Sequence, residues 1–411
     1  MRKNAIAFFC HAYHRGGVTR WMADAAMAYA ANGYEVYFVT VEPEQEFFSG
    51  QGRETMMQLL TKAPNKVNIG SVKVGREFEF GTPAYVAYVY KKLLLANIPL
   101  GTPIILSDDS TVWAAAAALH QSYPLVGVLH ADEPHYYHLA KQYKDIVDIF
   151  VCVSDRVSIT VKERSPQINS GRVFVVPCGI QLPPVHKTNT QTGILQLVYV
   201  GRITDYQKRT SDLAKVAVAL KNKNIPFYLN IIGDGLETKV ELEKTVIAEG
   251  LQGQITFTGW LSQAKVHEYL CAADVMILMS DFEGMPIAMM EGLASGCGFV
   301  GTRVSGIEDY EYHPLAKDCF AVFAVGDIGG AVDKIQKVAA IAPGIRRVAA
   351  RKLAEEQFSM ATCLANYNNA IATIPGRKYS SVSNELPVTD LVKSRFTSML
   401  RTAKMTIAKK Q

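Results

Sequence analysis

The sequence predicts an α/β fold of two doubly wound, parallel-sheet domains facing one another across a central cleft. Three observations carry this. Short apolar and β-branched runs alternate with helical stretches along most of the chain, and unbroken apolar strands of this kind belong to parallel sheets covered by helices on both faces. The alternation stops once, at residues 181–193 (QLPPVHKTNTQTG), where two prolines, a glycine and mostly polar residues show no periodicity, and then it restarts. Finally, 411 residues that are 49% apolar and 20% charged can bury more than one core, which excludes a disordered chain and a disulfide-stapled mini-fold.

In the first half, strands are expected at 5–10, 35–41, 103–106, 125–129, 149–153 and 172–176, with a helix at 18–31 that stops at Gly33. Asp108 and Asp109 resemble a metal-binding pair, but they stand where a helix through 114–118 needs an N-cap, and capping is the expected role. In the second half, strands at 195–200, 227–232, 255–258, 275–279 and 298–301 alternate with helices at 211–222, 239–249, 263–272 and 286–295. The expected domains are therefore 1–183 and 184–374, followed by a tail at 375–411. Ligands of open α/β sheets bind beyond the carboxyl ends of the strands, so functional residues should follow strands and meet in the cleft.

A net charge of +5 is mild for this length and excludes a dedicated nucleic-acid binder. The surplus sits in residues 390–411, where six basic residues face Asp390 alone. Seven cysteines (Cys10, Cys152, Cys178, Cys271, Cys297, Cys319, Cys363), with no C-x-x-C pair, read as buried free thiols of a reducing compartment. The apolar run after Arg2 and Lys3 is shorter than a signal peptide needs, and no stretch reaches the ~18 apolar residues of a membrane span. A cytoplasmic location is expected.

The candidate site residues follow strands. Gly16-Gly17 stand at a strand-to-helix turn, where bare amides and the helix dipole suit a phosphate. His130 follows the strand at 125–129 and can hydrogen-bond a ligand hydroxyl. After 195–200 come Gly201-Arg202 and Gln207-Lys208-Arg209, a guanidinium and an ammonium that suit a diphosphate. Gly233-Asp234-Gly235 and Gly259-Trp260-Leu261 end the next two strands, each glycine permitting close ligand approach. Then 281–291 reads DFEGMPIAMME, with Pro286 at the first turn of a helix. Glu283 lies in the loop before that helix. Glu291 lies within its apolar run, where a carboxylate calls for a partner or a ligand hydroxyl. Arg202, Lys208 and Glu291 have no evident structural partner in the sequence.

E-x7-E, Glu283 to Glu291, together with Gly201-Arg202…Lys208 and Gly233-Asp234-Gly235, resembles the retaining GT-B glycosyltransferases of family four. The likeness covers about residues 5–370 and is strongest from 197 to 308. RGGV after the first strand, VCVSD at 151–155 and VVPCGI at 175–180 agree with it. The resemblance implies two Rossmann-like domains and a nucleotide-sugar donor, UDP- or GDP-linked, with no metal and no further cofactor. It implies that Arg202 and Lys208 hold the donor diphosphate, which Gly16 and Gly17 approach from the other domain. Glu291 would bind the ribose hydroxyls, Glu283 the donor sugar, and His130 would lie by the sugar ring. The backbone around Trp260 would face the base, near Gly233, and the amides of Gly306 and Ile307 would assist the phosphates. Cys178 stands where the family commonly has Asn, SGIED replaces the usual Gly-Gly pair, and Met285-Pro286 replaces Phe-Gly.

The implied reaction moves a hexose-type sugar to a glycan or lipid-linked acceptor, in bacterial surface polysaccharide or lipopolysaccharide assembly. A GT-B sugar-nucleotide epimerase and a non-catalytic nucleotide-sugar-binding subunit are the competing readings. In the tail, Val392, Phe396, Met399, Leu400, Ala403 and Ile407 recur at helical steps, with Lys393, Arg395, Arg401 and Lys404 elsewhere around the helix. Two roles fit: the apolar face docks on the first domain, or the segment holds the protein peripherally on an anionic membrane, on the inner face of the plasma membrane.

Overall fold

The computed structural model describes residues 4–10, 17–43, 60–61, 67–74, 82–184 and 193–382, together with Lys393 and Thr397. The first sheet is built from β1 (Ala5–Phe9), β2 (Glu35–Pro43), β3 (Val67–Val74), β4 (Ile104–Leu106), β5 (Leu125–Leu129), β6 (Ile149–Cys152) and β7 (Val173–Val175). Its helices are α1 (Gly17–Ala31), α2 (Pro83–Asn97), α3 (Ser110–Ala117), α4 (Pro134–Gln142) and α5 (Asp155–Arg164). The strand order is β3-β2-β1-β4-β5-β6-β7, parallel throughout.

The second sheet uses β8 (Leu195–Val200), β9 (Phe227–Ile232), β10 (Ile255–Gly259), β11 (Val275–Leu278), β12 (Gly298–Thr302) and β13 (Phe320–Phe323). Around it lie α6 (Asp205–Lys208), α7 (Ser211–Asn222), α8 (Leu236–Ala248), α9 (Gln263–Ala272), α10 (Ile287–Ala294), α11 (Ile328–Ala339), α12 (Pro343–Phe358) and α13 (Met360–Ala372). Its order, β10-β9-β8-β11-β12-β13, repeats that of the first sheet and is again parallel. Each sheet therefore reverses direction once, between β1 and β4 and between β8 and β11, and these are the switch points at which such sheets bind ligands.

Of the expected strands, β1, β5, β6 and β11 are buried at every residue, whereas β7 and β10 are buried only at their first. Among the described residues the structure adds two strands, β3 and β13, and seven helices, α2, α4, α5, α6 and α11 to α13. Asp109 caps α3, its Oδ1 accepting the Thr111 and Val112 amides at 2.7 and 3.1 Å.

The chain crosses between the halves twice, and the crossings run side by side. Ile180 and Ser359 form a parallel bridge, in which the Ile180 amide donates to Phe358 O at 2.8 Å and the Met360 amide to Ile180 O at 2.9 Å. After the second crossing, α13 returns to the first domain. There Tyr29 Oη donates to Asn368 Oδ1 at 3.1 Å and the Trp21 and Tyr367 rings lie 5.5 Å apart. Residues 375–382 also hold to the first domain: Arg377 pairs with Asp148 at 2.6 Å and the Ser380 amide donates to Gln121 O at 3.0 Å. The amphipathic segment at 390–411 lies outside the described residues apart from Lys393 and Thr397. No helix among the described residues is long and apolar enough to cross a membrane. All seven cysteines are buried and unbridged.

Candidate active site

Loops after β8 and β11 bring the second domain's charged residues together. Glycines make this packing possible. A Cβ on Gly233 would sit 1.8 Å from Gly201 O, and one on Gly235 would sit 1.8 Å from Ile203 O. Gly233 therefore serves the mutual approach of two loops, beside the approach by a ligand that the sequence suggests. From there α6 ends at Arg209, whose left-handed φ of 45° lets its guanidinium reach Asp212 at 2.8 Å and Asp281 at 3.1 Å.

Within this frame Lys208 Nζ pairs with Glu283 Oε1, which also accepts from Ser280 Oγ at 2.6 Å. Glu283 is only 4% exposed, so a counter-ion and a hydroxyl are what allow a charge there. Arg202 lies nearer the surface, its Nη2 donating to Gln207 Oε1 at 3.0 Å. Glu291, on α10, is bonded by Gln263 of α9; burial pushes its carboxyl above the usual range and Arg20 of α1 opposes that shift. Arg20 in turn donates to Gln263 Oε1 and Asp24 Oδ2, each at 2.7 Å. The expectation that Arg202, Lys208 and Glu291 lack structural partners is thus corrected for all three. Gln207 lies five residues from Arg202, Glu283 lies 75 residues from Lys208 in the same domain, and Gln263 reaches Glu291 from the neighbouring helix α9.

The first domain meets these loops directly. Ala131 bridges antiparallel to Gly284, and the Asp132 amide donates to Glu283 O at 3.0 Å. Contact is so close that a Cβ on Gly284 would lie 1.8 Å from His130 O. On the far side Gly306, at φ 73°, leaves room for Gly284 O, which a Cβ would approach to 1.8 Å. His130 follows β5 as expected. It is 8% exposed, its ring stands 5.5 Å from that of Trp21, and its Nε2 has no hydrogen-bond partner. Burial lowers its pKa to about 3, so it stands in the seam as a neutral imidazole.

Gly17 opens α1 and faces the start of α10, where a Cβ would touch Ile287 Cδ1 at 3.4 Å; two helix N-termini from different domains therefore converge. Gly16 lies outside the described residues. Trp260, after β10, is 47% exposed. The Ile307 amide donates to Val304 O at 3.0 Å, which leaves Gly306 as the less committed of that pair. Cys178 is buried beside Cys363 at the paired crossings, and burial raises its thiol pKa.

A second contact joins the domains beside Gly306. Ser154 and Ser305 hydroxyls lie 2.7 Å apart, the Asp155 amide donates to Asp309 Oδ2 at 2.9 Å, and Arg156 pairs with Glu308. Burial raises the Asp309 carboxyl to about 6. The sequence alone did not single out Arg20, Gln263, Ser280, Ser154 or Asp309. Ser280 had a local signal, standing in the same strand-end loop as Glu283, and Ser154 and Asp309 lie in the VCVSD and SGIED stretches; Arg20 and Gln263 had none.

Two parallel sheets of one strand order, facing each other at their switch points, define a GT-B protein. Among solved structures, the Anabaena HepE protein in complex with UDP and glucose superposes with a TM-score of 0.70 at 15% identity, covering 90% of this chain and 99% of that one. Staphylococcus aureus TarM, in complex with fondaparinux, α-GlcNAc-glycerol and UDP, gives 0.70 at 11% identity over 90% of this chain and all of that one. Residues 15–182 match the family model Glycosyltransferase Family 4, and residues 195–340 match Glycosyl transferases group 1. The first half of the chain thus carries a Glycosyltransferase Family 4 domain and the second a Glycosyl transferases group 1 domain, together in the GT-B fold. Among curated relatives, the N-acetyl-α-D-glucosaminyl L-malate synthase of Bacillus anthracis is 25% identical over 61% of each chain. The amylovoran biosynthesis glycosyltransferase AmsK of Erwinia amylovora is 33% identical over 30% of this chain and 31% of its own. The chain thus spans less than two thirds of the length of either relative.

Proposed function

We propose that the protein is a retaining glycosyltransferase that moves a hexose-type sugar from a nucleotide diphosphate to a hydroxyl of a glycan or lipid-linked acceptor in bacterial surface-glycan assembly. The observation that carries this is the seam itself. Lys208, Glu283 and His130 come from two domains and three strand ends, yet they meet through the Ala131–Gly284 bridge. Such convergence of charged and neutral polar groups at paired switch points is what a sugar diphosphate requires. Both bonds to Glu283 fall on Oε1, which leaves Oε2 for a sugar hydroxyl. The unpartnered Nε2 of neutral His130 suits another.

As the anomeric carbon–oxygen bond breaks, its electron pair goes to the leaving diphosphate, whose charge Lys208 and Arg202 stabilise. The acceptor hydroxyl forms the new bond on the same face and passes its proton to the departing phosphate oxygen. Glu291, with Arg20 and Gln263, would take the ribose hydroxyls, and the backbone near Trp260 the base. Homologues named for teichuronic acid in Bacillus subtilis and lipopolysaccharide core in Rhizobium meliloti favour a surface-glycan role. An epimerase would share this nucleotide pocket without needing room for an acceptor. A binding subunit would not need Lys208 and Glu283 intact.

Thermal stabilisation by UDP and GDP and their glucose, galactose and N-acetylglucosamine conjugates tests the reading. A ligand at about 100 times its dissociation constant adds about 2.7 kcal/mol; no shift with any of them would overturn it. Turnover is expected to persist in EDTA, since the basic pair supplies the counter-charge, Asp109 caps α3 and the chain contains no D-x-D. Loss in EDTA with recovery in Mg²⁺ would assign Asp108 and Asp109 to a metal.

A further inference from the structure

We propose that Tyr206 and Phe282 form a stacking platform for a pyranose ring of the acceptor. The proposal rests on the glycosyl-transfer reading above and names a contact for its second substrate. Tyr206 is 79% exposed, although it lies within α6, between Arg202 and Lys208. Its ring meets that of Phe282 edge-on, with centroids 5.6 Å apart and an interplanar angle of 79°. A large aromatic side chain left in water yet held by a second ring is arranged for a ligand rather than for the core.

The support beneath the pair is fixed. The Asp281 amide donates to Gln207 O at 2.8 Å, Gln207 Nε2 donates to Phe282 O at 3.2 Å, and Lys208 pairs with Glu283. Three links thus join Gln207 and Lys208 beside Tyr206 to Phe282 and its two neighbours, so little conformational freedom is left to lose on binding. Position decides which ligand the pair meets. β8 and β11 are neighbours at the switch point, whereas β10, which leads to Trp260, lies two strands from β8, about 10 Å away. The aromatic pair therefore stands at the diphosphate and sugar end of the cleft, away from the base. It is also one residue from Glu283, whose carbonyl receives the Asp132 amide of the other domain. An acceptor must enter beside that seam, and the C–H face of a pyranose suits an exposed ring.

The test compares wild type with Tyr206→Ala and Tyr206→Phe, using UDP-glucose, UDP-galactose and UDP-N-acetylglucosamine with octyl glucoside, galactoside and N-acetylglucosaminide as acceptors. Tyr206→Ala should raise the glycoside KM roughly threefold to tenfold. The donor KM and the thermal stabilisation by UDP should stay at wild-type values, and Tyr206→Phe should behave as wild type. An unchanged glycoside KM in Tyr206→Ala overturns the platform, and an increase confined to the donor KM assigns the ring to the nucleotide instead. If UDP stabilises the wild type but no glycoside is glycosylated, the pyranose acceptor is overturned while nucleotide binding stands. If neither UDP nor GDP nor any of their sugar conjugates stabilises it, the reading beneath the proposal fails too.

Discussion

The two domains share a strand order but contribute different chemistry to the seam. The second presents ion pairs: Lys208 with Glu283, and Arg209 with Asp212 and Asp281. The first presents His130, a neutral ring against Trp21 with an open nitrogen. A leaving diphosphate needs charge that is already oriented, whereas a sugar hydroxyl needs a hydrogen bond without charge. Under the proposed reaction the scaffold would meet both needs, because the residues after its strands differ while the strands themselves do not.

Removing the charges breaks this contrast most severely. Arg202→Ala, Lys208→Ala and Glu291→Ala should each reduce kcat/KM by about 10²- to 10³-fold, and an Arg202→Ala/Lys208→Ala enzyme with near-normal turnover would refute the assignment. Lys208→Ala should also lower stability by about 1–3 kcal/mol, because Glu283 then keeps a buried charge without a counter-ion. Adding Glu283→Gln should recover that stability without recovering activity, as read by denaturant titration beside a turnover assay.

On the other side of the seam, His130→Ala should cost about ten- to hundredfold in kcat, the worth of one buried hydrogen bond. With a pKa near 3, His130 stays neutral from pH 5 to 8, so no inflection in the rate profile there should disappear in the variant. The sign for stability follows. An unfolded histidine takes a proton near pH 6.5 that the folded one refuses, so the stability held above that pH is lost as the pH falls towards 3. A less acid-sensitive His130→Gln would agree with this.

The smallest effect is expected at Asp309. Its carboxyl, raised to about 6 by burial, keeps a proton that an unfolded aspartate loses near 3.9. Stability therefore falls as pH rises from about 4 to 6, and the penalty is complete above that. Asp309→Asn keeps an acceptor for the Asp155 amide and should melt about 2–4 °C above wild type at pH 7.5, with the gap closing at pH 4. A gap that ignores pH would show that Asp309 does not titrate in this range.

Strands with unbroken apolar runs were legible in the sequence; β5, β8 and β9 occur at the expected bounds. β3 (VNIGSVKV) was not, because an edge strand alternates and carries a glycine and a lysine. Lys208 and Glu283 were legible as charged residues after strands, but not as a pair, since 75 residues separate them. The Arg20–Gln263–Glu291 grouping was invisible because it exists only once α1 and α9 meet across the domains. Gly233 has a structural reason that the sequence did not show: its bare Cα admits the carbonyl of Gly201.

The bridge between Ile180 and Ser359 has a mechanical consequence. Two bodies joined by one strand can swivel, twist and drift apart; joined by two strands bonded at a single point, they retain chiefly one rotation. Any opening would resemble a door on its pin, and it would first have to part the Ala131–Gly284 bridge and the Ser154–Ser305 contact. A cut through either crossing would leave the other as a tether, so the two halves of a nicked chain would still lie side by side.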